Sequence, residues 1–128
     1  DVVIMAAAVS DFSPEEVHAQ KVKKDKADSS IKLKQTPDIL AWLGDHKKRE
    51  QVLIGFAMET ENLLENAQAK LEKKKADWII ANSLNEDESG FESDKNKVHL
   101  LGKKDTIQIE GLKSDVARQA LSHIFKNS

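Results

Sequence analysis

Val52-Leu53-Ile54-Gly55-Phe56, then the segment Leu63 to Leu71, then Trp78-Ile79-Ile80-Ala81 follow one another across short polar joints. The first and third are brief continuous apolar runs, the pattern of strands covered on both faces. The middle one places Leu63, Leu64, Ala67 and Leu71 on one stripe at helical spacing. Thr60 can cap this helix with Glu61 in its first turn, and Lys73-Lys74-Lys75 closes it, where cations suit the negative end of the dipole. Strand, helix, strand in that order predicts two parallel strands joined by a helical crossover.

Working outward, Val2-Val3-Ile4-Met5 reads as another buried strand, continued by the small residues Ala6-Ala7-Ala8-Val9. Ser10 to Ser30 has no apolar periodicity and is expected to be a loop, long enough to suggest a purpose. Ile31-Lys32-Leu33-Lys34 alternates as a half-buried or edge strand does. Thr36-Pro37-Asp38 predicts a helix start, with Thr36 at the cap and Pro37 at the first helical position. That helix turns Ile39, Leu40, Trp42 and Leu43 inward and ends near Lys47-Lys48-Arg49.

Beyond Ala81 a polar loop is expected from Asn82 to Lys97. Val98 to Leu101 and Thr106 to Ile109 flank Gly102-Lys103-Lys104-Asp105 as the arms of a hairpin. A last helix starts at Ser114-Asp115 and buries Val116, Ala117, Ala120, Leu121, Ile124 and Phe125. The expected fold is α/β: a Rossmann-like, mostly parallel sheet flanked by helices, with a C-terminal β-hairpin. Residue 1 is Asp and the next residues already read as a core strand. Residues 1–128 are therefore expected to form the second half of one domain that lacks its N-terminal half.

The 128 residues carry 20 Lys plus Arg against 22 Asp plus Glu, a net charge of −2, so the basic excess of a general nucleic-acid binder is missing. With 0 Cys, disulfide scaffolds and thiolate chemistry are excluded. The longest apolar run, Val2 to Val9, is far shorter than the roughly 20 residues that span a bilayer as a helix. No basic, apolar leader opens the chain, and it reads as a cytosolic domain without a membrane partner.

Ligands of such sheets bind beyond the carboxyl ends of the strands, which here are Ala6 to Asp11, Gly55 to Thr60 and Ala81 to Ser83. The 5 glycines are scattered, so neither the dinucleotide fingerprint nor the phosphate loop is present, and no histidine pair has metal-ligand spacing. Lys21-Val22-Lys23-Lys24 is the densest basic stretch: a phosphate grip, or a solvated loop compensated by Asp25 and Asp28. Lys70 and Lys74 share one helix face and can grip a phosphate chain, or simply close a lysine-rich last turn. Asp11, past a strand end, can orient Mg²⁺ or a ligand hydroxyl, or form a turn with its own backbone. Phe56 can stack on a base or sugar, or belong to the core.

Taken in order, Ala6-Ala7-Ala8-Val9-Ser10-Asp11-Phe12-Ser13-Pro14, Lys21-Val22-Lys23-Lys24, Thr36-Pro37-Asp38-Ile39-Leu40, Gly55-Phe56-Ala57-Met58-Glu59-Thr60 and Ala81-Asn82 form a series. It closely resembles the phosphopantothenate–cysteine ligase family, over essentially the whole chain. In bacteria that domain is usually the carboxyl-terminal half of a bifunctional coenzyme A biosynthesis protein. The chain departs from the family pattern at Ser10, Phe12-Ser13 and Met58, and only Ser13 replaces a charged residue, an arginine.

The resemblance implies ligation of 4′-phosphopantothenate to cysteine, driven by CTP with Mg²⁺ through an acyl-cytidylate. It implies that Met5, Ala6 and Ala7 line the nucleotide with backbone groups and that Asp11 contacts it. Lys21 matches the lysine at the triphosphate and the reacting centre, the catalytic position. Pro37, Asp38, Ile39 and Leu40 bring the amides of a helix start to the nucleotide, Phe56 packs on it, and Lys70 and Lys74 hold phosphates. It implies no dedicated protein metal site, a homodimer, and a possible fused phosphopantothenoylcysteine decarboxylase domain upstream. It also implies that this chain alone lacks turnover. The competing readings are a non-catalytic nucleotide-binding module on the same fold and a dimerisation module that binds no ligand.

Overall fold

The computed structural model describes residues 1–23, 30–83 and 94–126. It divides into two units, one of Asp1–Ala6 with Leu40–Ser128 and one of Ala7–Ile39.

The larger unit is built on a five-stranded sheet in the order β1-β4-β5-β6-β7, formed by β1 (Val2–Met5), β4 (Val52–Glu59), β5 (Trp78–Ser83), β6 (Lys95–Gly102) and β7 (Thr106–Leu112). β1, β4 and β5 are parallel, and β6 and β7 add antiparallel. The parallel set and the hairpin are as the sequence predicts. Gly102 N–H donates to the Asp105 carbonyl (2.9 Å) to close the hairpin turn. The expected loop from Asn82 to Lys97 is shorter at both ends, because Asn82–Ser83 and Lys95–Lys97 stay in strands. Its middle, residues 84–93, lies outside the described residues.

Strand alternation sorts the side chains onto two faces. Leu53 and Ala57 of β4 join Ile79, Ala81 and Leu101 under Leu40 of α1 (Ile39–His46) and Ala67 and Leu71 of α2 (Leu63–Lys73). Ile54 turns the other way and joins Trp78, Val98, Leu100 and Ile109 under Val116, Ala120 and Ile124 of α3 (Lys113–Lys126). The apolar stripes of the helices are narrower than predicted. Ile39, Leu64 and Phe125 are exposed on the flanks of the buried rows, and Trp42 lies on the far side of α1 from Leu40.

The helix starts differ from expectation for local reasons. Asn62, not Thr60, occupies the cap position of α2, in a left-handed conformation (φ 50°, ψ 41°) that asparagine tolerates. The Asn66 side chain then ties the first turn back to β4, donating to Glu59 Oε2 and to the Glu61 carbonyl, both at 3.1 Å. α3 begins at Lys113, one residue before the predicted Ser114.

Asp77 fastens the amino edge of the sheet. Its Oδ2 accepts the Leu53 N–H (2.9 Å) and the Lys47 ammonium (2.9 Å), and its Oδ1 accepts Lys103 (3.2 Å). Partial burial works against the charge of Asp77, but the Leu53 N–H and the two lysines outweigh it and hold the carboxyl below its usual range. Beside it, Lys75 holds the exposed Asp45 at 2.6 Å and lowers its pKa through the same hydrogen bond and charge. His123 on α3 donates to Asp105 (2.6 Å) and packs edge-on against Trp78, ring centroids 5.7 Å apart.

The smaller unit is a two-stranded antiparallel ribbon, β2 (Phe12–Pro14) with β3 (Leu33–Gln35). The predicted loop from Ser10 to Ser30 therefore contains a strand, and the predicted edge strand at Ile31 to Lys34 is shifted towards Gln35. Thr36 extends this ladder instead of capping a helix. Its N–H donates to the Asp11 carbonyl (2.9 Å), its hydroxyl donates to the Ser10 carbonyl, and α1 starts only at Ile39. No described residue from 7 to 39 is buried.

Candidate functional site

The parallel strands do not end level with one another. Met5, the last residue of β1, pairs with Gly55, whereas β4 and β5 continue together from Phe56↔Ile80 to Glu59↔Ser83. Past Met5, no described strand covers the outer side of β4. The result is a step at the carboxyl edge of the larger unit, where main-chain groups of Phe56 to Glu59 lie beyond the end of β1. Such a step at the carboxyl ends of parallel strands is where α/β sheets receive ligands.

Met5 sits at this step with Ala6 just after it. Met5 packs with Val3 against the core under α1 and α2, and Leu40 lies on the same face, its side chain filling the space above Gly55. A Cβ at Gly55 would meet Leu40 Cδ2 at 2.8 Å and Ile79 Cδ1 at 2.9 Å, so the bare glycine is what lets α1 approach the strand here. Phe56, the next residue, alternates onto the α3 face, where it is partly exposed beside Met58. Its ring is thus separated from α1 and α2 by the sheet itself.

Lys70 and Lys74 lie in the last turn and at the cap of α2, both half-buried. The helix runs antiparallel to the strands and ends where β5 begins, so Lys74 is at the amino edge with Lys70 one turn above it. The structure thus places Lys74 at the end of the sheet away from the step, and the Phe56 ring on the face opposite α2.

In the smaller unit the ribbon brings Asp11 alongside Thr36, one residue before Pro37 and two before Asp38. The Asp11, Pro37 and Asp38 side chains are exposed, as are Ala7, Ile39 and Lys21. Lys21 lies between β2 and β3, outside regular structure.

Two groups organise these elements in ways the sequence did not indicate: the Asn66–Glu59 pair, and Thr36, which was expected to cap a helix. The Asn66–Glu59 pair links the first turn of α2 to the end of β4, and its seven-residue separation crosses from strand to helix, outside the three- and four-residue spacings within one helix. Thr36 serves the ribbon, and its only signal was the apolar and charged alternation just before it. Among the described residues no three carboxylate or imidazole groups converge on a metal-sized position. Among them, too, no helix is long and apolar enough to cross a membrane.

Comparison with known proteins places this arrangement. The family model for the DNA/pantothenate metabolism flavoprotein C-terminal domain matches residues 1–127. The coenzyme A biosynthesis bifunctional protein CoaBC of Bacillus subtilis (strain 168) is 41% identical over 127 residues, covering 97% of this chain and 31% of its own length. A protein named cysteine/cysteine sulfinic acid decarboxylase, from an unknown prokaryotic organism, is 38% identical over 128 residues, covering 95% of this chain and 36% of its own length. The crystal structure of the C-terminal domain of a CoaBC protein superposes with a TM-score of 0.73 at 38% identity, covering 97% of this chain and 53% of that one. The chain spans about a third of the length of the curated relatives it matches. It belongs to the DNA/pantothenate metabolism flavoprotein C-terminal domain family.

Proposed function

We propose that this chain is the nucleotide-binding part of a phosphopantothenate–cysteine ligase acting in coenzyme A biosynthesis. The carboxylate of 4′-phosphopantothenate attacks the α-phosphate of CTP, giving an acyl-cytidylate and releasing pyrophosphate. The amine of cysteine then displaces CMP and forms the amide. The match of the family over residues 1–127, at 41% identity to a CoaBC protein, carries this reading.

Charge gathers on the α-phosphate and on the departing pyrophosphate, and preorganised cations stabilise it most where water is excluded. Lys21 is assigned to the reacting centre and Lys70 and Lys74 to phosphates. One such contact is worth on the order of 4 kcal/mol at 4 Å with an effective dielectric near 20, before desolvation. Met5, Ala6, Ala7 and the main chain around Phe56 line the nucleotide, with Asp11 and the Pro37–Leu40 segment completing its contacts. The donor set suits Mg²⁺ carried in by the triphosphate better than a resident ion, since few protein ligands are then needed. When bound with the triphosphate, such a metal would neutralise phosphate charge.

A thermal-melt titration with CTP and with ATP, each with Mg²⁺, tests the assignment. Saturating ligand at a hundredfold excess over Kd adds about 2.7 kcal/mol of stability. The expected result is a CTP-preferring shift that Lys21→Ala abolishes and Lys73→Ala leaves intact. A shift of equal size in both variants removes Lys21 from the site. No shift with either nucleotide, in this chain and in one extended to the full length of its relatives, overturns the reading.

A further inference from the structure

We propose that the amino edge of the sheet, remote from the step at the carboxyl edge, binds a small oligophosphate anion. A cavity of about 560 Å³ opens there, lined by Gly44, Leu71, Gln68, Glu72 and five cations: Lys47, Lys48, Arg49, Lys75 and Lys103. The cations come from three separate segments of the larger unit, the α1–β4 turn, the end of α2 and the β6–β7 turn. A second cavity of about 550 Å³ shares Arg49 and Lys103 and adds Lys104, but its wall also carries Glu50, Asp77 and Asp105, so the first cavity is the cationic one.

Helix dipoles account for part of this charge. α1 and α2 both end here, and their carbonyl ends favour a cation each. Lys47 and Lys75 fill that role and are neutralised by Asp77 and Asp45. Lys103 shares the single Asp77 carboxylate with Lys47, so one negative charge answers two ammoniums. Lys48, Arg49 and Lys104 have no ion-pair partner among the described residues.

In a chain of net charge −2, two unpaired cations, Lys48 and Arg49, and a third that shares its carboxylate, Lys103, around one concave surface call for an anion from outside. Lysines are point charges matched to phosphate oxygens, and Arg49 can add a bidentate grip. Several cations set around a cavity favour a ligand with two or more linked phosphates over a single one. Free oligophosphate and the tail of a nucleoside triphosphate both carry that chemistry.

Titration of the ¹⁵N-labelled chain with inorganic tripolyphosphate, and separately with CTP, is the test. Tripolyphosphate is expected to move the amides of residues 47–51, 75–77 and 103–105 with saturation below millimolar concentration. The double variant Lys48→Glu/Arg49→Glu changes two exposed side chains without ion-pair partners and should weaken binding at least about tenfold. Lys73→Glu, on α2 but outside the cavity, should leave it within about twofold. CTP binding at the same residues identifies a nucleotide tail as the ligand, and tripolyphosphate alone there identifies a free oligophosphate. The proposal is overturned by shifts confined to Met5–Ala6 and Gly55–Thr60, by the absence of saturation, or by an equal loss in Lys73→Glu.

Discussion

The two units of this chain solve opposite problems. In the larger one, Ile54, Ala67, Ile79, Leu100 and Ile124 are sealed from water on both faces of a five-stranded sheet. In the smaller one, no described residue from 7 to 39 is buried, and Val17 is 90% exposed. There Phe12, Ile31 and Leu33 also face solvent, and three residue pairs join the two strands. A two-stranded ribbon of this kind is marginal by itself in water. Yet Asp11 and Lys21, assigned by resemblance to the nucleotide, belong to this unit. Part of the candidate chemistry is thus carried outside the buried core, and substitutions there should separate it from stability.

The sharpest separation is expected at Gly44. A Cβ at this position would fall on the Lys74 main-chain carbonyl oxygen, and that carbonyl belongs to the cap of α2, which cannot swing aside as a side chain does. Gly44→Ala should cost about 3 kcal/mol, the upper range for overpacking. On a chain of this size that lowers Tm by about 10 °C, read by circular dichroism. A loss below about 1 kcal/mol would mean α1 shifts freely and is not pinned to the larger unit as described.

A smaller effect with a distinct pH signature is expected at Asp77. Asp77→Asn keeps an acceptor for the Leu53 N–H but removes the charge that answers Lys47 and Lys103. The loss at neutral pH should be about 1–2 kcal/mol, tempered by the exposure of Lys103. The folded pKa of Asp77 is depressed, so its contribution is fully present above the unfolded value of about 3.9 and is lost as pH falls through the folded pKa. The stability difference between wild type and variant should therefore be flat from pH 7 to 5 and shrink in acid. A difference that grows in acid would reverse the sign and refute the network.

How far the sequence could be read follows the same division. The larger unit was legible because burial leaves a period: Leu53 and Ile54 to opposite faces, Ala67 and Leu71 on one stripe, the hairpin around Gly102 and Asp105. The ribbon leaves almost none, since residues exposed on both faces need not alternate. Thr36-Pro37-Asp38 carried a strong helix-start pattern, but Thr36 follows β3 directly and a ladder bond to Asp11 outcompeted the cap. The site was legible only as an ordered set of motifs. Its geometry was not, because the alternation that puts Ala57 under α2 also puts the Phe56 ring on the other face, and no motif encodes that.

The smallest expected effect is the one that tests the comparison most directly. Thr36→Val removes the hydroxyl that donates to the Ser10 carbonyl and keeps both the size of the side chain and the main-chain bond to Asp11. One exposed hydrogen bond is worth about 1 kcal/mol where it forms. If the ribbon opens independently of the sheet, Tm should stay within about 1 °C, because the core of the larger unit loses nothing. Hydrogen exchange at Thr36, whose N–H is bonded to Asp11, should accelerate about fivefold, while Ile54 and Ile79 keep their protection. A fall in Tm matching the full hydrogen bond would show instead that the ribbon unfolds only with the sheet. The placement of Asp11 would then be secured by the core, and not by the few bonds of the ribbon.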